Sequence, residues 1–430
     1  MTETPLKQQF SPEALRDIVD LALWTGQLLL QHGANASRTE ETVHHLGTGL
    51  GCDWLDVLIS PDAVVITTTS HEEFRTKARR VVRFGGVDMA VVAAVSELSY
   101  QVSAGELDRF ETRARLKEIG KRPLNYPRPL LILLVGLACA AFSKLFGGDW
   151  PVFAATWLAA SSGMAVRLWL RQRNFNFVPQ VVITAFVAGL LASLATLLSW
   201  GSQPQIALVA SVLLLVPGVP LVNAFHDLLS SHDITGLARG VHGGMISLGI
   251  AVGLSLALAV TGIQSLWPTF ATPPTLAEDA LWAGIAALGF GVLFNVPRRA
   301  LWGAVLCGAV GHGVRYGLLA SGWGSLGTVE VASFVGGTAV GFLGLLLARR
   351  LHTPRILFTV PGIIPMIPGT FAFGTMLGVL QAAGIVGAGG SDPFLLQAGL
   401  NAVKTGLVLG ALAIGTVLPT LLFERQRPVV

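Results

Sequence analysis

Long apolar segments after residue 127 constrain this chain more than any other feature. Residues 128–430 contain 15 Lys or Arg and 8 Asp or Glu, whereas the shorter stretch 1–127 contains 14 and 17. A helix that crosses a bilayer needs about 20 mostly apolar residues. The low-charge part contains ten such segments, and we predict spans at 128–146, 151–170, 178–200, 205–229, 236–262, 276–295, 300–320, 328–348, 356–384 and 394–422. The chain is therefore predicted to be an α-helical integral membrane protein.

The charged N-terminal part has the pattern of a small α+β domain over residues 1–120. Ser11 precedes Pro12 as a helix cap, and Ser37–Glu40 is a capping-box pattern that opens a second helix. Two short β-branched runs, Trp54–Ser60 and Ala63–Thr69, predict a hairpin. Arg79–Phe84 is a candidate third strand, and two further helices follow at 88–103 and 105–119.

Loop charges predict the orientation of the spans. With ten spans, Lys and Arg residues collect in the loops of one side, and the other side receives Lys144 alone. The positive-inside rule then places both termini and the N-terminal domain in the cytoplasm. The predicted location is the cytoplasmic (inner) membrane.

Internal similarity predicts two repeats, at 128–262 and 276–422. Val216–Pro220 in span four resembles Val360–Pro365 in span nine, and Phe186–Leu191 in span three resembles Phe334–Thr338 in span eight. Five spans per repeat is an odd number, so the halves would be inverted, as in many secondary transporters. The alternative is that apolar, glycine-rich helices resemble one another by chance.

Spans four and nine are the candidate substrate site, because Pro and Gly interrupt both. Backbone groups freed by such breaks survive in a membrane only where they are buried in protein or line a wet cavity. The alternative is that the prolines merely kink helices. The candidate substrate-binding residues are Pro217, Gly218, Pro220, Asn223, Asp227, Arg315, Pro365, Pro368, Gly369, Thr370 and Lys404.

Ionisable residues inside spans are costly and so indicate function. The candidates for proton coupling are Asp227, His226, His242 and His312. Asp227 could instead lie at a cytoplasmic helix end, and Arg167 is close enough to its loop to snorkel. The His and Cys residues have no dependable metal-ligand spacing, so we predict no metal site, no cofactor and no catalytic residues.

The motifs together resemble the threonine/serine exporter family. They are Gly26–Ala34 followed by Arg38–Glu41, Val216–Pro220 with Asn223 and Asp227, Asn295–Arg298, and Val360–Gly369. The resemblance covers nearly the whole chain. In some relatives the two portions are separate polypeptides, and here they look fused near 265–278. The resemblance implies proton-driven export of small amino acids, threonine and serine above all, and split relatives are linked with succinate.

Three other functions stay open at this stage. The cargo could be a small dicarboxylate, the cytosolic domain could be a hydrolase with the spans as its anchor, or that domain could gate transport by binding a ligand. Ten spans exceed what an anchor needs, so we expect a transporter rather than an enzyme. The expected partners are a small amino acid or organic acid, protons and membrane lipid, with a second copy of the chain as a further candidate, but not nucleic acid.

Overall fold

The computed structural model describes residues 11–70, 73–81, 86–263, 275–322, 327–384 and 391–423. These residues form two compact units. The first contains the residues up to Leu124 together with Asn223–Arg239, and the second contains Asn125–Val222 and the chain from Gly240 onward. The segment Asn223–Arg239 thus belongs with the N-terminal part, although the sequence analysis assigned it to the first repeat. Most of the predicted junction near 265–278 lies outside the described residues.

The helices of the first unit begin at side-chain caps. Their bounds are α1 Pro12–Gln31, α2 Ala36–Gly49, α3 Met89–Ser103 and α4 Arg109–Gly120. As predicted, Ser11 caps α1, and its Oγ accepts a hydrogen bond from the N–H of Ala14 at 3.2 Å. The predicted capping box at Ser37–Glu40 is wrong, because Asn35 caps α2 instead: its Oδ1 accepts from the N–H of Arg38 at 3.0 Å.

A three-stranded antiparallel sheet completes the first unit, in the order β1-β2-β3. The strands are β1 Trp54–Ile59, β2 Ala63–Ser70 and β3 Glu73–Arg80. The predicted hairpin is confirmed by its register, which pairs Trp54 with Thr69. The third strand starts earlier than predicted, because its residues are mostly polar and give no apolar alternation; residues 82–84 of that prediction lie outside the described part.

The second unit is built from helices, two of which, α9 and α10, have one end in the first unit. The first group is α5 Arg128–Leu145, α6 Trp150–Gln172, α7 Phe177–Leu197, α8 Gln205–Val212, α9 Gly218–Leu229 and α10 Asp233–Thr261. The second group is α11 Leu276–Leu293, α12 Arg298–Ala320, α13 Val329–Leu351, α14 Ile356–Ile363, α15 Gly369–Ala382 and α16 Ser391–Phe423.

The protein is a multi-pass membrane protein. Among the described residues, six helices are long and apolar enough to cross a membrane, and eight spans result if each bent helix pair counts as one. The helices α6 and α12 coincide with two more predicted spans but fall outside that count. The number of ten spans therefore stays a prediction.

Two of the predicted spans are broken in the same way. A 3-10 turn, Leu213–Leu215 or Ile364–Met366, ends the first helix of each pair. A Pro-Gly step then starts the second helix, at Pro217 and at Pro368, with bends of 56° and 50°. Just after each proline, the glycine N–H donates to the carbonyl two residues back, at 2.8 Å in the first break and 2.7 Å in the second.

This geometry corrects the predicted alignment of the two breaks. Val360–Pro365 is not the counterpart of Val216–Pro220, because helix α14 continues through Pro361 and ends only at Ile363. The structural counterpart of Val216–Gly218 is Ile367–Gly369. A Pro-Gly pair occurs twice in span nine, and only the second one follows a 3-10 turn.

Candidate functional site

A cavity of about 520 Å³ lies in the second unit where the two breaks meet. This volume is in the range of small-molecule sites, ~300–1,000 Å³. A Cβ atom on Gly369 would lie 2.6 Å from Leu213 Cδ2, and one on Gly218 would overlap the Ile367 side chain, so the breaks touch each other closely. The walls are formed by Phe142, Leu145, Phe146, Leu213, Val216, Gly218, Asp279, Phe290, His312, Arg315, Tyr316, Leu319, Val329, Ile364, Pro365, Ile367, Pro368, Gly369 and Thr370.

The cavity lies at one end of the helices that surround it. Phe146 follows the last residue of α5, Leu319 is close to the end of α12, and Val329 begins α13. In the predicted topology these helix ends belong to the side of Lys144, opposite the cytoplasm. If the predicted topology holds, the cavity runs from that side to the middle of the broken helices.

Besides the phenol of Tyr316, three ionisable side chains line the cavity, and two of them form a pair. His312 Nδ1 lies 2.7 Å from Asp279 Oδ2, and the Asp279 carboxylate is buried. An ionised carboxylate only accepts hydrogen bonds, so Nδ1 carries the proton of this contact. The other ring nitrogen, Nε2, is then the position at which His312 gains or loses a proton.

Arg315 lies one helical turn after His312 and contacts the second break. Its Nη1 donates to the carbonyl oxygen of Met366 at 2.9 Å. Met366 closes the 3-10 turn, where a carbonyl has lost its regular helical partner. The guanidinium thus holds the turn in place and keeps other N–H donors for a ligand, because it has five.

The structure brings seven of the predicted site residues into this cavity. They are Gly218, His312, Arg315, Pro365, Pro368, Gly369 and Thr370. Asp279 and Tyr316 were missed. Asp279 stands in the first turn of α11, after a capping box made by Thr275 and Glu278, so its carboxylate gives the same sequence signal as an ordinary helix start.

Four other predicted residues do not line the cavity. Pro217 belongs to the first break and Pro220 to the first turn of α9. His242 stacks on Phe177, with ring centroids 5.3 Å apart. Lys404 is exposed on α16, with its Nζ 5.4 Å from the centre of the Phe371 ring. Their predicted roles stay predictions.

Asn223, His226 and Asp227 belong to the first unit. The buried Asp227 carboxylate accepts from the N–H of Ala36 at 2.8 Å and pairs with Arg239 Nε at 3.0 Å. Asn223 Nδ2 donates to the carbonyl of Gly33 at 2.9 Å. These contacts tie the corner between α9 and α10 to the start of α2, and they account for the burial of Asp227 within the first unit.

The described residues contain no group of three or more His, Cys, Asp or Glu side chains that could hold a metal ion. The three cysteines, Cys52, Cys139 and Cys307, are free and buried. What the cavity offers chemically is thus one carboxylate, one imidazole, one guanidinium and the hydroxyl-bearing side chains of Tyr316 and Thr370, beside backbone groups of two broken helices.

Comparison with protein families decides the identity. The model described as "Putative threonine/serine exporter" matches residues 20–261, more than half of the chain. A second model, described as "Threonine/Serine exporter, ThrE", matches residues 279–422. The chain belongs to the threonine/serine exporter family. Each family model covers one group of helices and one of the two breaks.

Several curated proteins are similar to this threonine/serine exporter family member. The "Probable succinate transporter subunit YjjP" of Escherichia coli K12 is 37% identical over 59% of this chain and 98% of its own length. The "Threonine/serine exporter" of Corynebacterium glutamicum is 26% identical over 91% of this chain and 81% of its own length. An uncharacterized protein of Haemophilus influenzae is 26% identical over 97% and 99%. No solved structure matches the chain.

Proposed function

We propose that this protein exports threonine or serine across the cytoplasmic membrane by proton-coupled alternating access, with both termini in the cytoplasm. The observation that carries the proposal is the meeting of Asp279, His312 and Arg315 with two broken helices in one cavity. Family membership and the name of the Corynebacterium relative support a membrane exporter. The matched breaks support two inverted repeats.

The charges of the cavity suit a zwitterion. Arg315 binds the substrate carboxylate, because a guanidinium matches that group with two parallel hydrogen bonds. Asp279 receives the substrate ammonium. The N–H of Thr370 and the carbonyls at the break residues Val216 and Ile367 are further polar groups at the cavity wall. Phe142 and Phe290 provide an apolar wall for the small side chain.

His312 carries the coupling proton. When its Nε2 is protonated, the imidazolium pairs with the Asp279 carboxylate 2.7 Å away and competes with the substrate ammonium for it. When the proton leaves, the carboxylate is available to the substrate. Proton and amino acid then exclude each other at Asp279, which is what an antiporter requires.

A dicarboxylate such as succinate is the second candidate. The name of the Escherichia coli relative favours it, and so do the two basic side chains on α12, which could each take one carboxylate. The two candidate substrates differ in how they interact with Asp279. This carboxylate attracts the ammonium of an amino acid and repels a dianion.

Transport into proteoliposomes tests the proposal. Labelled threonine, serine and succinate are compared with and without a pH gradient, in wild type, Asp279→Asn, His312→Gln and the matched exposed-charge control Arg173→Gln. We expect gradient-driven threonine or serine flux, a roughly 10- to 100-fold loss in Asp279→Asn, and unchanged flux in the control. In His312→Gln the flux should lose its response to the gradient while exchange continues.

Two outcomes would redirect or end the proposal. Succinate flux that rises in Asp279→Asn, without amino acid flux in wild type, identifies a dicarboxylate carrier. Unchanged threonine flux in Asp279→Asn would remove this cavity as the amino acid site.

A further inference from the structure

The first two helices of each helix group align in sequence at one fixed offset. Helices α5 and α11 both have 18 residues and start 148 positions apart, and so do the 23-residue helices α6 and α12. The contacts follow the same offset. A Cβ on Gly136 would meet Trp157 and Ser161, and one on Gly284 would meet Val305 and Ala309, which are the corresponding residues.

At this offset Arg167 corresponds to Arg315. The segment Gly163–Arg167 on α6 and the segment Gly311–Arg315 on α12 share their Gly, Val and Arg positions. Gly163 packs against Ala188 and Thr184 of α7, and Gly311 packs against Gly336 and Val340 of α13. The two arginines thus occupy equivalent positions on equivalent helices.

Both arginines also reach the same kind of acceptor. Arg167 Nη1 donates to the carbonyl of Leu214, 3.4 Å away in the first 3-10 turn, as Arg315 Nη1 donates to Met366 in the second. The guanidinium of Arg167 therefore points inward to the break, and the prediction that it snorkels to the loop is wrong. Its longer contact is the weaker of the two hydrogen bonds.

The surroundings of Arg167 leave its charge without compensation. Among the described residues no carboxylate forms an ion pair with it, and Arg171, one turn later on the same helix, carries a charge of the same sign. Arg167 is partly buried and does not line the cavity at Arg315. A cation inside a membrane protein is costly and usually marks a path for ions or substrate.

We propose that Arg167 is a second carboxylate-binding group, which takes the substrate carboxylate when the transporter opens on the opposite face. The inference rests on the proposed transport function. In the structure, Arg315 lines the cavity and the Leu214 carbonyl holds Arg167. When the first break opens, the guanidinium exchanges this weak acceptor for the carboxylate of the substrate, as Arg315 does on the other face.

Half-saturation measured separately on each membrane face tests the inference. Right-side-out and inverted membrane vesicles are prepared for wild type, Arg167→Gln, Arg167→Lys and Arg315→Gln, and threonine, serine and succinate exchange is measured. We expect Arg167→Gln to raise the substrate concentration for half-maximal exchange at least about tenfold on the cytoplasmic face, with little change on the other face. Arg315→Gln should do the reverse, and Arg167→Lys should lie between wild type and Arg167→Gln.

The remaining outcomes are decisive as well. Normal affinity on the non-cytoplasmic face of Arg167→Gln shows that this variant is folded. If Arg167→Gln keeps the wild-type half-saturating concentration on both faces, the role of Arg167 is overturned. It is also overturned if Arg167→Gln and Arg167→Lys lose affinity equally on both faces, because that result would mark a structural residue. If Arg315→Gln changes neither face, or wild type transports none of the three substrates, the proposed function itself fails.

Discussion

The segments Gly163–Arg167 and Gly311–Arg315 are counterparts, but their second residues differ in chemistry. In the second helix group, His312 faces Asp279 and Arg315 lines a cavity. In the first group the corresponding residues are Met164 and Leu131, both buried in an apolar cluster. The arginines and the broken helices occur in both groups, whereas the titratable pair occurs in one.

This difference separates two tasks. In our proposal, a carboxylate-binding arginine beside each break gives both membrane faces a way to hold the substrate. A proton needs one site that is reached in turn from both sides, and the Asp279–His312 pair is that site in our proposal. Substrate contact would thus be duplicated, and coupling would belong to the second helix group alone.

Placing a carboxylate in the first helix group should have the largest effect. In Leu131→Asp, an acidic group enters the buried apolar cluster that also contains Met164, without the imidazole that Asp279 faces in the other group. A buried charge that lacks its hydrogen-bonded partner costs about 3–5 kcal/mol. We expect little monodisperse protein after extraction and a strongly lowered Tm. The double variant Leu131→Asp/Met164→His rebuilds the pair of the other group and should recover part of the loss.

Met164→His alone provides the control for that recovery. If Leu131→Asp is as stable as wild type, residue 131 is reached by water and the two groups differ less than the structure indicates. If the double variant is no better than Leu131→Asp, residues 131 and 164 do not form a pair as their counterparts do.

Much of the helical framework could be predicted from the sequence, because apolar length and Pro-Gly steps are local signals. Arg315 and His312 were predictable for the same reason: a charge or imidazole inside an apolar run is visible without a structure. Asp279 was not, because an acidic residue in a first helical turn is normal in any helix. Its place in the cavity depends on the start of α11 lying beside α12, which the local sequence does not show.

Asp227 shows the opposite limitation. A carboxylate after a Pro-Gly break has the pattern of a membrane site, but in the structure it contacts Ala36 and Arg239 within the first unit, and its predicted role stays a prediction. Sequence spacing cannot show a contact between residues 191 positions apart. The same limitation applies to β3, whose polar residues pair with β2 without any apolar alternation.

Glycine packing should give an intermediate effect that differs between the helix groups. In Gly136→Ala the new methyl group would overlap Ser161 Oγ and lie 3.0 Å from the Trp157 backbone oxygen. The cost of such overpacking is about 1–3 kcal/mol. In Gly284→Ala the nearest atom is Val305 Cγ1, at 3.3 Å, on a side chain that can shift.

We therefore expect Gly136→Ala to lower the Tm in detergent and Gly284→Ala to leave it nearly unchanged. The better helix propensity of Ala, worth about 1 kcal/mol, favours the second variant further. Equal Tm values for the two variants would mean that α5 and α6 can separate slightly, and that the packing of the two helix groups is more alike than their contacts indicate.

The helix caps should give the smallest effect, and it depends on pH. Asp149 caps α6, accepting from the N–H of Val152 at 3.1 Å and of Ser202 at 2.6 Å, whereas its counterpart Pro297 has no side-chain cap for α12. Burial raises the pKa of Asp149, but these hydrogen bonds, a further one from the Ser202 side chain and the charge of Lys144 together outweigh burial and hold the pKa below its usual value. The ionised carboxylate therefore stabilises the folded state above the unfolded pKa, and this stabilisation is lost as the pH falls through the folded pKa.

Asp149→Ala should lose about 1 kcal/mol at neutral pH, the usual worth of a cap. The Tm difference between wild type and Asp149→Ala, measured in detergent from pH 7 down to pH 3, should shrink as the carboxyl group takes up its proton. Asp149→Asn is the non-titrating control: its single amide oxygen replaces only one of the two carboxylate oxygens and so keeps one of the two hydrogen bonds. Its difference from Asp149→Ala should therefore be smaller than that of wild type at neutral pH and should stay constant as the pH falls. A wild-type difference that is equally constant would show that the cap works without its charge, and the first helix group would then differ from the second in hydrogen bonding alone.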